Sequence, residues 1–164
     1  MTKKKGLVGC AAVSAVFVIL GIVGIWYFLL REEPTLMVTM NAPNEVEMNG
    51  VVDLVITATN PHPEPVVLDS VDINNDFLKG FQVVNVQPTP SDSMSVFVLK
   101  SWSFGSELQP NESIDIKFTL KAIKVGRFEG EIDVCNPNQD FITLFADIIV
   151  NETKSGSAEP SPNP

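Results

Sequence analysis

Two patterns of apolar and polar positions divide the chain. From Leu7 to Leu30 it reads LVGCAAVSAVFVILGIVGIWYFLL, without a single charge. As a helix rising about 1.5 Å per residue, this stretch spans about 36 Å, enough to cross a hydrocarbon core about 30 Å thick. From residue 35 onward the period changes to two. In 51–59, Leu54, Ile56 and Ala58 share one face while Asp53, Val55 and Thr57 share the other. The alternation is cleanest in 113–122, with Ile114, Ile116, Phe118 and Leu120 against Asp115, Lys117 and Thr119. In 127–135, Phe128, Gly130, Ile132 and Val134 face inward and Arg127, Glu129, Glu131, Asp133 and Cys135 outward. Further strands are expected over 35–40, 66–73, 81–87, 94–104 and 141–150.

Turn residues separate them: Asn41 to Asn44, the run Asn60-Pro61-His62-Pro63-Glu64-Pro65, the Pro88 to Ser93 loop, and Leu108 to Glu112. Prolines at this density exclude a central strand. Seven or eight short strands, with no amphipathic segment of helical length, predict an all-β domain. An antiparallel β-sandwich fits best, with a closed barrel as the second choice. The expected organisation is a basic segment at 1–6, a transmembrane helix at 7–30, a linker at 31–34, the sandwich at 35–150 and a disordered tail at 151–164.

The apolar stretch is too long for a secretory signal peptide, and its end, Ile25 to Leu30, is bulky rather than an A-x-A cleavage site. Lys3, Lys4 and Lys5 flank one end, while Arg31, Glu32 and Glu33 flank the other. The basic end stays inside, so the expectation is a plasma-membrane protein, single-pass, with a cytoplasmic N-terminus and an extracytoplasmic domain. Trp26 and Tyr27 would sit at the outer membrane interface. Cys10, Ser14, Gly21 and Gly24 form a small-residue stripe for helix packing, which Phe17 interrupts. Leu7-Val8-Gly9-Cys10 resembles a lipobox, but the apolar run follows the cysteine instead of preceding it.

Charge narrows the partners. Three of the 11 basic residues precede residue 31, leaving eight against 20 acidic residues beyond it. Such a domain repels nucleic acid and anionic lipid headgroups. With Cys10 in the apolar stretch, Cys135 has no intramolecular partner and is a candidate exposed thiol; a disulfide framework is excluded.

The stretch LQPNESIDIKFTLKAIKVGRFEGEIDV resembles the closing half of bacterial cell-surface immunoglobulin-like domains of the CARDB or fibronectin type III kind. LVITATNPHPEPVVLDSVDI resembles their unit of strand, Asn-Pro turn and strand. Over 35–150 the resemblance implies an immunoglobulin-like sandwich that binds or spaces, and it brings no catalytic residue. The paired cysteines of antibody-type domains are absent from the sequence.

Catalytic equipment is sparse. The one histidine, His62, lies in the proline-rich turn with no nucleophile motif beside it, and no glycine-rich phosphate loop occurs. Asp72, Asn74 and Asp76 match the opening of a calcium loop, but Phe77 replaces its glycine and Val83 its glutamate. A looser calcium site with Asp69 and an Asx-rich turn are the two readings of that cluster. Asn111 and Asn151 open glycosylation sequons, which matter only in a eukaryotic host. No enzyme and no cofactor are expected. The expected function is a membrane-tethered interaction module, an accessory subunit whose partners are the bilayer and other membrane protein subunits. The alternative is a free-standing cell-surface binding or adhesion protein that recognises a ligand or carbohydrate through the sandwich loops.

Overall fold

A computed structural model describes residues 36–138 and 140–153. The strands are β1 (Met37–Asn41), β2 (Glu45–Glu47), β3 (Val51–Thr59), β4 (Val66–Asn74), β5 (Phe81–Gln87), β6 (Asp92–Ser95), β7 (Leu99–Leu108), β8 (Ser113–Ala122), β9 (Gly126–Cys135) and β10 (Phe141–Asn151). A single helical turn, α1 (Asn75–Leu78), follows β4. One sheet has the order β1-β3-β8-β5, and the other β2-β10-β9-β4-β7-β6. Among the described residues every pairing is antiparallel except β2 with β10.

The alternation that predicts the strands also builds the core. Leu54 lies opposite Phe118, and Ile56 opposite Ile116. From the second sheet Val71, Ile73, Ile132 and Ile148 meet them, all fully buried. In β4 the inward set changes from Val66 and Leu68 to Val71 and Ile73. The register shifts between Leu68 and Ser70, opposite a bulge in β7 where Gly105 has φ 58°. That left-handed conformation suits a residue without Cβ.

The fold expected from sequence needs three corrections. The strands number ten, not seven or eight: β2 falls between the turn expected at 41–44 and the strand expected from 51, and β6 straddles the end of the expected 88–93 loop and the start of 94–104. The stretch 94–104 is not one strand: Val96 N–H donates to the Leu99 carbonyl at 3.0 Å and closes a turn between β6 and β7. Lastly, the sandwich is not joined to a described transmembrane helix. Among the described residues no helix is long and apolar enough to cross a membrane. The four residues of α1 rise about 6 Å, against the ~30 Å a crossing requires. The helix expected over 7–30 lies outside the described residues, with Cys10, Ser14, Gly21, Gly24, Trp26 and Tyr27. Membrane anchoring, the single-pass plasma-membrane location with a cytoplasmic N-terminus, and the bilayer and membrane subunits as partners are therefore given up. The tail from 154 also lies outside the described residues.

Candidate functional site

The outward side of the six-stranded sheet is built by register. Across neighbouring strands, Thr143, Asp133, Asp72 and Ser101 form one row. Phe141, Cys135, Ser70 and Ser103 form the row on one side of it. On the other side, Phe145 lies opposite Glu131, and Asn74 opposite Leu99. Acidic groups thus fill the middle strands, with Phe141 and Phe145 of β10 exposed along one flank. Asp72 and Asp133 face each other directly, and like charges so placed repel. Thr143 Oγ1 donates to Asp133 Oδ1 at 2.6 Å. Asp72 Oδ1 is shut off from solvent and accepts no hydrogen bond. Asp72, Asn74, Val98, Leu99, Glu131 and Asp133 line a recess of about 140 Å³.

Beyond the recess stands the β6–β7 turn. Phe97 is 104% exposed, and Val96, Val98 and Met94 are exposed around it. The turn is nevertheless held firmly. Asn75 Nδ2 donates to the Val96 carbonyl at 2.9 Å and to the Phe97 carbonyl at 3.1 Å. Asn75 N–H, which the first turn of a helix leaves without an internal acceptor, donates to the Val98 carbonyl at 2.8 Å. The helix α1 is in turn anchored by Phe77, fully buried and stacked on Phe81 with ring centroids 5.0 Å apart.

No family model matches this chain, and no curated protein sequence matches it. Solved structures similar to it include a CARDB domain and a cohesin module. A CARDB domain from Pyrococcus furiosus, in complex with di-metal ions, is 17% identical with a TM-score of 0.48, over 73% of this chain and 90% of that one. A cohesin module of a Clostridium perfringens family 33 glycoside hydrolase is 11% identical with a TM-score of 0.49, over 74% of this chain and all of that one. The sandwich assignment stands on the strand pairings described above.

The residues singled out in the sequence are placed as follows. Cys135 is on the outward face but half-buried, and its Sγ lies 3.9 Å from Asp72 Oδ2. Burial, and next the charge of Asp72, push its thiol up to about 11, while a hydrogen bond with Ser70 opposes them. A nucleophilic cysteine needs the reverse shift. The calcium-like residues do not converge: Asn74 Oδ1 caps α1 by accepting from Asp76 N–H at 2.7 Å, and Asp76 pairs with Lys79. Among the described residues no group of three or more His, Cys, Asp or Glu is placed to hold a metal ion. The backbone N–H of His62 donates to Asn60 Oδ1 at 2.9 Å, within a structural turn. Trp102 is buried, edge-on to Phe118 at 5.0 Å with Lys100 Nζ over its ring, so it offers no platform to a sugar.

Sequence reasoning missed Phe97, Phe141, Phe145 and the pairing of Asp72 with Asp133. Two signals were available. The run Val96-Phe97-Val98-Leu99 is apolar without alternating. In β10 both faces carry large apolar residues: Ile142, Leu144 and Ile148 inward, and Phe141, Phe145 and Ile149 outward. A strand apolar on both faces is the mark of one covered on both sides.

Proposed function

We propose that this domain is a non-catalytic protein-binding module that engages its partner through the β6–β7 turn at the edge of the sandwich. The observation that carries the reading is a fully exposed Phe97 on a backbone fixed by three hydrogen bonds from Asn75. A solvated phenylalanine on a free loop would gain little, since binding would have to order the loop. On a held turn that cost is already met, and burying the ring contributes about 1.5–3 kcal/mol. Clustered, preorganised aromatic anchors of this kind dominate protein interfaces. This reading replaces the membrane-tethered accessory subunit and keeps the alternative of recognition through the sandwich loops.

Photo-crosslinking in the native host tests it. Benzoylphenylalanine at position 97 is expected to give one discrete adduct, and at the exposed Glu107 none. Asn75→Ala, which frees the turn, is expected to weaken the adduct at 97. Equal background at both positions would overturn the reading.

A further inference from the structure

We infer that the outward face of the six-stranded sheet receives an extended partner segment whose sheet-facing side chains, every second residue, are basic in the middle and apolar at the two ends. The inference rests on the reading of the domain as a binding module and names the chemistry of its ligand.

Three carboxylates, Asp72, Glu131 and Asp133, crowd the middle of this face. Among the described residues none of them pairs with a base, because Arg127 is engaged by Glu129 and Asp147 and Lys100 lies over Trp102. The Asp72 oxygen that faces no donor is closed to solvent and adds uncompensated negative charge beneath the face. Their uncompensated charge asks for a cation. The carboxylates do not converge as a metal ion requires. A lysine or arginine head on a long stem can reach them one at a time from above the sheet.

The flanks supply the second requirement. Phe141 and Phe145 are 61% and 72% exposed on β10, and Met94 and Val98 are 61% and 65% exposed on the far side. From β10 to β6, the strand of Met94, is four strand spacings, about 19 Å, which about six extended residues cross. A segment lying across the strands would set its apolar side chains on the two flanks and its basic ones between them. Patches of exposed apolar side chains beside unsatisfied charge mark interaction surfaces rather than ordinary solvated sheet.

The test is fluorescence anisotropy with the full chain and three labelled ten-residue peptides built on the core Leu-Ser-Lys-Ser-Lys-Ser-Leu (Lys-Leu), the same core with serine for leucine (Lys-Ser), and the same core with glutamate for lysine (Glu-Leu). The Lys-Leu peptide is expected to bind at least about tenfold more tightly than the other two, and more weakly as salt rises. The double change Glu131→Gln with Asp133→Asn is expected to lower its affinity about tenfold or more, and Phe145→Ser to do likewise. Removing two charges from the other sheet, by Asp53→Asn with Asp115→Asn, is expected to change it less than twofold.

Absence of Lys-Leu binding would overturn the inference. Equal loss in the two double variants would also overturn it, since the attraction would then be bulk charge. Peptide binding lost in Phe97→Ser but retained in the Glu131/Asp133 double variant and in Phe145→Ser would overturn it while leaving the turn as the binding element. Binding that depends on Glu131, Asp133 and Phe145 without an adduct at position 97 would overturn the turn reading alone.

Discussion

The Cys135 thiol reports on the electrostatics of the acidic face. Its pKa is pushed from 9.0 to about 11, first by burial and then by Asp72. Two units mean about a hundredfold less thiolate at any pH below 9. A more basic thiolate is also a better nucleophile, by a Brønsted slope of about 0.4–0.5, which restores roughly eightfold. The expected deficit at pH 8 is therefore about tenfold relative to an ordinary thiol, before any steric shielding is counted. The assay is the rate of reaction with a chromogenic disulfide in the Cys10→Ser chain, followed from pH 7 to 10.5 against glutathione. The protein rate is expected to climb about tenfold per pH unit beyond pH 9, where glutathione levels off. Asp72→Asn removes the second cause and should lower the inflection; Ser70→Ala removes the opposing hydrogen bond and should raise it. The folded pKa is raised, so the protonated thiol favours the fold below pH 9 and that contribution is lost as pH rises toward 11. A rate that matches glutathione at pH 8 and levels off by pH 9 would refute both the burial and the Asp72 contribution.

Four further outcomes are expected. Gly80→Ala would place a Cβ 2.3 Å from the Phe128 ring, so it should cost about 1–3 kcal/mol or more by urea denaturation. Asn60, fully buried, donates to the carbonyls of Glu64 and Leu108 and accepts from His62 N–H; Asn60→Ala should cost about 2–4 kcal/mol in the same measurement. Ile132→Ala opens a cavity beneath β9 and should cost about 2–5 kcal/mol, read from the thermal midpoint. The Asp147 carboxyl, held below the ordinary range by the hydrogen bond from Arg127, should titrate upward in Arg127→Ala when followed by carbon NMR; the stability it lends wild type is present at neutral pH and lost as pH falls through its folded value.

Period-two alternation made the buried strands readable. Strand β8 is read residue for residue because one face meets the core and the other meets water. In β9 parity alone puts Ile132 in the core and Cys135 outside it. Parity cannot say that Ser70 and Asp72 of the neighbouring strand crowd the thiol, because strand order is set by pairings distant in sequence. The β6–β7 turn was hidden for the opposite reason: Val96, Phe97 and Val98 have core composition, and only the bonds from Asn75, some twenty residues earlier, show that they turn in solvent. In β4 the bulge opposite Gly105 switches the inward parity midway, which no single-strand pattern anticipates.

The parallel pairing of β2 with β10 also fixes how this domain bears load. Leu36 lies beside Phe141, where β10 begins, while β10 ends at Asn151 and Thr153 Oγ1 still donates to the Met48 carbonyl. The two points are separated by the length of β10, about 33 Å at ~3.3 Å per residue. A pull on both ends therefore runs along the strands. The bonds that tie β2 to β10, such as Ile149 N–H to the Asn44 carbonyl and Met48 N–H to the Asn151 carbonyl, lie across that pull and are sheared together instead of being peeled one by one. The antiparallel β1–β3 ladder of five residue pairs is loaded the same way. Under tension the domain would yield only when several hydrogen bonds break at once, so it behaves as a stiff link rather than one that unzips.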